Sequence, residues 1–176
     1  MRRLAVGLLL AHTAAYAAPV ASRPLSIREL AVIADTVVIG RVAQLRPDAG
    51  TTEPGMVTRV LVDVEQVLKG AAGAAVTLVQ PGGERGGVVA TVGGAPSFNA
   101  GEHVLLFLTR RPDGALRVAH LYQGKFSIEP DPATGASRVV RRLPDTAEVV
   151  DALPLTDALA LVRAALAAPS GEGRAP

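Results

Sequence analysis

Between Val57 and Leu68 the apolar residues Val60, Val62 and Val64 alternate with the charged Arg59, Asp63 and Glu65. Successive side chains of a strand point to opposite faces, so this segment makes one apolar and one wet face only when it is extended. At helical spacing the same residues would scatter around the axis, and a strand so patterned requires strand neighbours and a core beneath it. The run Val104, Leu105, Leu106, Phe107, Leu108 has no polar alternation and predicts a strand, over His103 to Thr109, covered on both faces. Further strands are predicted for Thr36–Leu45, Val76–Gln80, Val88–Val92, Leu116–Leu121, Lys125–Glu129 and Arg138–Arg142. Gly40 inside the first of these predicts a bulge or bend. Pro112, Asp113 and Gly114 form a turn, while Pro47–Gly55, the glycine-rich Gly82–Gly94 stretch and Pro130–Gly135 read as loops. Strands at such short spacing favour an antiparallel barrel or sandwich.

Two helices flank the strands. Ser26 and Glu29 have capping-box spacing ahead of Ile27, Leu30, Ala31 and Ala34, which predicts a helix over 26–34. Leu155, Leu159, Val162 and Leu166 form a stripe that predicts a second helix over Thr156–Ala167, packed across the β structure. With 176 residues the chain fits one domain with a real core. The core is expected to hold Val60, Val62, Val64, Leu106, Phe107 and Ile128.

The chain has no cysteine, which rules out disulfides, thiolate metal sites, a cysteine nucleophile and a lipoprotein anchor. Its first residues read as a signal peptide, residues 1–17: Arg2 and Arg3, an apolar stretch from Leu4 to about Ala15, then Ala15-Tyr16-Ala17 in small-x-small order. Cleavage after Ala17 keeps Pro19 away from the scissile bond. The apolar stretch is shorter than the ~20 residues of a spanning helix, so no stable membrane anchor is expected. The mature chain is expected to be exported to the periplasm or medium, with residues 18–168 as the domain and 169–176 as a frayed tail. The formal charge of +2 and the basic pI of about 9.5 then lose their meaning, because removing Arg2 and Arg3 leaves 16 cations against 16 anions.

Three stretches, taken in order, resemble the netrin-like, tissue-inhibitor-of-metalloproteinase barrel, a variety of OB-fold. They are DTVVIGRV from Asp35, the strand ending VEQVLKG at Gly70, and GEHVLLFL followed after a turn by RVAHLYQGKFSI, ending at Ile128. The resemblance spans residues 35–128 and extends to a set of exported bacterial proteins of unknown function. It implies a mainly β fold, an antiparallel OB-like barrel with a short N-terminal helix and a C-terminal helix, and a secreted metalloprotease as a candidate partner. Those inhibitors chelate the protease zinc through an N-terminal cysteine, and this chain would begin Ala18-Pro19 and has none. The resemblance therefore supports the fold without its inhibitory mechanism.

Chemistry-bearing residues are sparse. Beyond His12 the histidines are His103 and His120, expected on strands joined by the Pro112–Gly114 turn; a two- or four-residue loop puts them on one face, a three-residue loop on opposite faces. A zinc site needs a third ligand, which Glu102 and Tyr122 are poorly placed to give, so no metal and no cofactor are expected. Ser97 lacks a Gly-x-Ser-x-Gly elbow, and Asp63 with Glu65 shows only the alternation of a half-exposed strand. Gly82–Gly94 lacks the ending of a phosphate-binding P-loop. Nucleic acid is not expected as a partner, because Phe98, Phe107, Phe126 and Tyr122 are too few for a stacking platform. Arg138, Arg141 and Arg142 read as a solvated strand edge. What remains is an exported, non-catalytic module that binds a protein partner, with Gly82, Gly83, Glu84, Arg85, Gly86 and Gly87 as the candidate contact. A secreted hydrolase of cell-wall or extracellular polymer is the competing expectation.

Overall fold

The structure, a computed structural model, describes residues 23–49 and 56–168. The expected signal peptide, the tail at 169–176 and most of the Pro47–Gly55 loop lie outside these residues. The element order is α1 (Ile27–Ile33), β1 (Thr36–Ala49), β2 (Met56–Lys69), β3 (Ala75–Pro81), β4 (Gly83–Arg85), β5 (Val88–Ala90), β6 (His103–Arg110), β7 (Leu116–Val118), a 3₁₀ turn (Leu121–Gly124), β8 (Lys125–Pro130), β9 (Ser137–Arg142), β10 (Val149–Pro154) and α2 (Leu155–Ala167). Among the described residues no helix is long and apolar enough to cross a membrane.

Strands β1, β2, β3, β7 and β6 pair in that order, and β6 returns to β1, so five strands close an OB-like barrel. All of its pairings are antiparallel except β3 with β7. On its other edge β6 divides its partners: Leu108 to Arg110 pair with β7, while Val104 to Leu106 pair with β8. β8 then leads through β9 to β10, extending the sheet beyond the barrel.

The unbroken apolar run on β6 has the cause expected of it. Val104, Leu106 and Leu108 join Val38, Val42, Val60, Val62, Val76, Leu78, Leu116 and Val118 in one core, inside the barrel. Leu105 and Phe107 face the other way, into a second core with Val37, Ile39, Phe126, Ile128, Val139 and the helices. The expected single core is thereby corrected: Phe107 and Ile128 belong to the helical layer, since neighbours on a strand cannot share a face. Val64 is only half-buried, against the rim of the barrel core.

Gly40 permits the expected irregularity. The β1–β2 register shifts between Ile39 and Gly40, and a Cβ at Gly40 would lie 2.2 Å from the Asp63 carbonyl oxygen. β1 continues past its predicted end to Ala49, so Pro47 to Ala49 are strand rather than loop. Pro47 is tolerated there because β6 pairs only with Thr36 to Arg41 and leaves that edge without a ladder. The predicted Leu116–Leu121 strand stops at Val118, since His120 and Leu121 take left-handed conformations (φ 47° and 58°). The chain then turns tightly onto Gly124, where a Cβ would sit 2.7 Å from the Ala119 carbonyl oxygen and 2.8 Å from that of Phe107.

The Ser26–Glu29 capping box starts α1, each side chain bonded to the other's backbone N–H. A hydrogen bond from Arg23, joined by those from Ser26, holds the Glu29 carboxyl at about 2, so this cap persists until the pH falls toward that value. α2 packs against α1, β9 and β10 and also touches β2 of the barrel, and its buried centre is Ala158 and Val162. Leu166, expected on the buried stripe, is 37% exposed, while Leu155, Leu159, Leu161 and Ala165 pack partly buried against the core.

Val62 is fully buried in the barrel. Val62→Asp is expected to abolish the cooperative melt, because an unpaired charge there has no partner to offset its desolvation. Gly40→Ala is expected to cost about 1–3 kcal/mol in denaturant titration, by forcing β1 from β2. A wild-type melt for Val62→Asp would overturn the assignment of strand faces.

Candidate functional site

The glycine-rich stretch is an ordered hairpin. Gly83, Glu84 and Arg85 pair with Ala90, Val89 and Val88, and Gly86 and Gly87 make a two-residue turn with φ of 58° and 78°. Positive φ at both turn positions is the hairpin geometry that glycine adopts without strain. The base is anchored on the barrel, where Gly82 N–H donates to the Met56 carbonyl at 2.8 Å and the Thr58 hydroxyl donates to the Gly82 carbonyl at 2.9 Å. All six predicted contact residues thus lie in one ribbon, Gly82 and Gly83 closely packed at its foot and Gly86 and Gly87 in open space at its tip.

Sequence reasoning places Val88–Val92 as a strand within the Gly82–Gly94 stretch and does not single out its valines as contact residues. Val88 is 63% and Val89 66% exposed, so two consecutive valines, one on each face, present apolar surface to solvent. Val92 and Leu121 are also exposed, and Leu121 lies over Gly94, where a Cβ would be 3.1 Å from its Cδ1. Beside the hairpin's foot is an open hollow of about 320 Å³, lined by Leu45, Pro47, Thr58, Pro81, Gly83 and Phe98.

A second assembly lies at the start of β6 and β8. Glu102 accepts hydrogen bonds from the Lys125 ammonium (2.6 Å), the Ser127 hydroxyl (2.6 Å) and the Asn99 backbone N–H (3.1 Å). Lys125 also lies 5.0 Å from the centre of the Phe98 ring, which joins the loop before β6 to β8. Glu102 and Lys125 are largely buried beside a cavity of about 420 Å³ that Tyr122, Glu129 and Arg142 help to line. Burial alone would raise the Glu129 carboxyl, but hydrogen bonds from Arg138 and Arg142 outweigh it and hold the group below its ordinary value.

The remaining candidates separate. His103, on β6 opposite Arg41, approaches Glu65 at 2.9 Å, and Arg41 approaches the same carboxylate at 3.0 Å. His120 is not its cross-strand neighbour: β7 pairs only with the far end of β6, and His120 has already left the ladder. Among the described residues no three or more His, Asp or Glu side chains group as metal ligands. The arginines of β9 are no solvated edge, since β9 lies between β8 and β10. Arg138 and Arg142 bind Glu129, and Arg141 is 1% exposed and bound to Asp151. Ser97 lines both the hollow and the larger cavity.

No family model matches this chain, and neither a curated protein nor a solved structure matches it.

Lys125→Met removes the charge that balances Glu102 and is expected to destabilise the fold by about 3 kcal/mol in denaturant titration. The double change Lys125→Met with Glu102→Gln should recover part of that loss. A double variant no more stable than the single one would show that the pair is not coupled.

Proposed function

We propose that this protein is an exported, non-catalytic module that recognises a protein partner through the β4–β5 hairpin. The observation that carries this reading is the exposure of Val88 and Val89 on a ribbon anchored to a rigid barrel. A chain that leaves adjacent valines in water at a projecting tip forgoes their burial, and a partner that covers them recovers it. The ordered glycine turn means that little conformational entropy is lost when the tip is engaged. The hollow at the hairpin's foot gives a partner side chain somewhere to insert.

The partner class follows from the netrin-like resemblance, which makes a secreted metalloprotease the first candidate. Without an N-terminal cysteine the chain has no zinc chelator of that family's kind, so recognition falls to the hairpin. Export rests on the order of basic, apolar and small residues in 1–17. The hydrolase reading draws no support from the Ser127–Glu102 pair. The Glu102 oxygen that accepts the Ser127 hydroxyl hydrogen bond also accepts one from the Lys125 ammonium, and no histidine stands between serine and carboxylate as in a nucleophile–base relay.

Mass spectrometry of the native protein is expected to find Ala18 at its N-terminus; an intact Met1 would contradict export by this route. In a binding and inhibition assay against secreted metalloproteases, Val88→Asp with Val89→Asp is expected to weaken the complex about 100-fold or more, since each buried valine contributes about 1.5–3 kcal/mol. Its melting curve should stay that of the wild type. Unchanged affinity would remove the hairpin from recognition, and turnover of a polysaccharide or peptidoglycan panel would overturn the non-catalytic reading.

A further inference from the structure

A cavity of about 320 Å³ opens where the barrel closes most weakly. β3 and β7 are joined by the single parallel pair Leu78–Leu116, and beyond it the two strands no longer pair. Beside Val79, Pro81, Val118 and Leu121 the walls carry side chains with hydrogen-bond donors: Gln80 from β3, Thr109 and Arg110 from the end of β6, Arg111 after it, Arg117 from β7, and His120 beyond. Arg111 is engaged by Asp113 at 3.4 Å, and Arg110 Nη1 donates to the Gly114 carbonyl at 2.9 Å. Among the described residues no carboxylate pairs with the Arg110 or Arg117 guanidinium. Elsewhere Glu65, Glu102, Glu129 and Asp151 each bind a cation.

Gln80 supplies an independent observation. It continues the inward row Val76, Leu78 of β3 and is 6% exposed, yet its amide Nε2 finds no acceptor among the described residues. A buried donor left unmet destabilises a fold, and an apolar residue of the same shape would avoid the loss. Its position suits a ligand: Gln80 forms a wall of this cavity, at the mouth of the barrel, and also borders the hollow beneath the hairpin.

We propose that this cavity binds a phosphate-type oxyanion carried by a small molecule. Residues with donors on β3, the end of β6, β7 and the turn after it border this one cavity from several sides, which suits a tetrahedral group better than a planar carboxylate. Guanidinium forks supply charge-assisted hydrogen bonds, and the Gln80 amide gains the acceptor it lacks. The site is separate from the hairpin valines and stands whether or not a protein partner engages them.

The test is titration of the purified protein, followed by NMR of the arginine and glutamine side chains, with inorganic phosphate and glycerol phosphate in one arm and phosphatidylglycerol vesicles in the other. Saturable binding of either soluble phosphate supports a diffusible ligand. Binding of the vesicles alone would overturn the small-molecule assignment and give the cavity to a lipid headgroup. Arg110→Gln and Arg117→Gln are each expected to weaken binding about tenfold, while Arg28→Gln on α1 leaves it unchanged. Gln80→Met is the decisive variant: it should weaken binding and raise the melting temperature together, which loss of a purely structural residue would not do. No saturable binding by about 10 mM, well beyond the millimolar range of a few such hydrogen bonds, overturns the proposal. Equal weakening by Arg28→Gln and Arg117→Gln does so as well.

Discussion

The fold depends on β6 being buried on both faces and paired along both edges. Val104 to Leu108 are each 0% exposed, a continuous apolar stretch that water never reaches. At about 1.5–3 kcal/mol for each large side chain removed from water, this one strand contributes more than any other local segment. Its inward residues fill the barrel and its outward ones seat the helices, so the two cores share a wall. The aromatic pair of the second core, Phe107 and Phe126 at 5.9 Å in an edge-to-face arrangement, joins β6 to β8 and the extension. Asp35 fixes the end of β6, where its backbone N–H donates to Leu108 and its carboxylate accepts from the Arg110 N–H at 2.7 Å.

Arg141 holds the extension to the barrel by other means. Its guanidinium is stacked 5.0 Å from the Phe126 ring centre, and donates to Asp151 on β10 and to the carbonyls of Leu25 and Gln123. Gln123 in turn accepts the Leu25 N–H, so the chain entering α1, the 3₁₀ turn, β9 and β10 meet at one side chain. Burying a charge is tolerable only when it is paired and hydrogen-bonded, and here the pairing also brings together elements distant in sequence.

What the sequence disclosed tracks the range of the forces involved. Alternation in β2 and the apolar run of β6 register burial residue by residue, so both strands were legible, as was the α1 capping box, a signal contained in Ser26 and Glu29. Closure was not, because it needs β6 to return to β1 and β7 to meet β3, contacts no local pattern records. β10 was missed for a related reason: Val149 to Pro154 has weak alternation and is held by Asp151 to Arg141, ten residues away. The arginines of β9 were misread because composition counts charge without its partner, and Glu129 and Asp151 turn that basic cluster into internal ties. The hairpin was half legible. Its glycines marked the loop, but no local pattern singled out Val88 and Val89, since exposure depends on where the ribbon projects.

Charge pairing then separates scaffold from recognition. Around the large cavity the carboxylates already have their cations: Glu102 its Lys125, Glu129 its two arginines. Such groups have little left to offer a ligand, and their work is to fix the loop before β6 and the β8–β9 register. At the β3–β7 seam the balance differs: Arg111 has Asp113, while among the described residues no carboxylate pairs with the Arg110 or Arg117 guanidinium and the buried Gln80 Nε2 finds no acceptor. In a mature chain expected to carry equal numbers of cations and anions, net charge does not explain why Arg110 and Arg117 stand together at one place. The topology puts the opening there: a parallel closure with one bridging pair, Leu78–Leu116, parts the two strands beside Gln80, and a ligand gains most where it supplies an acceptor to a buried donor that lacks one.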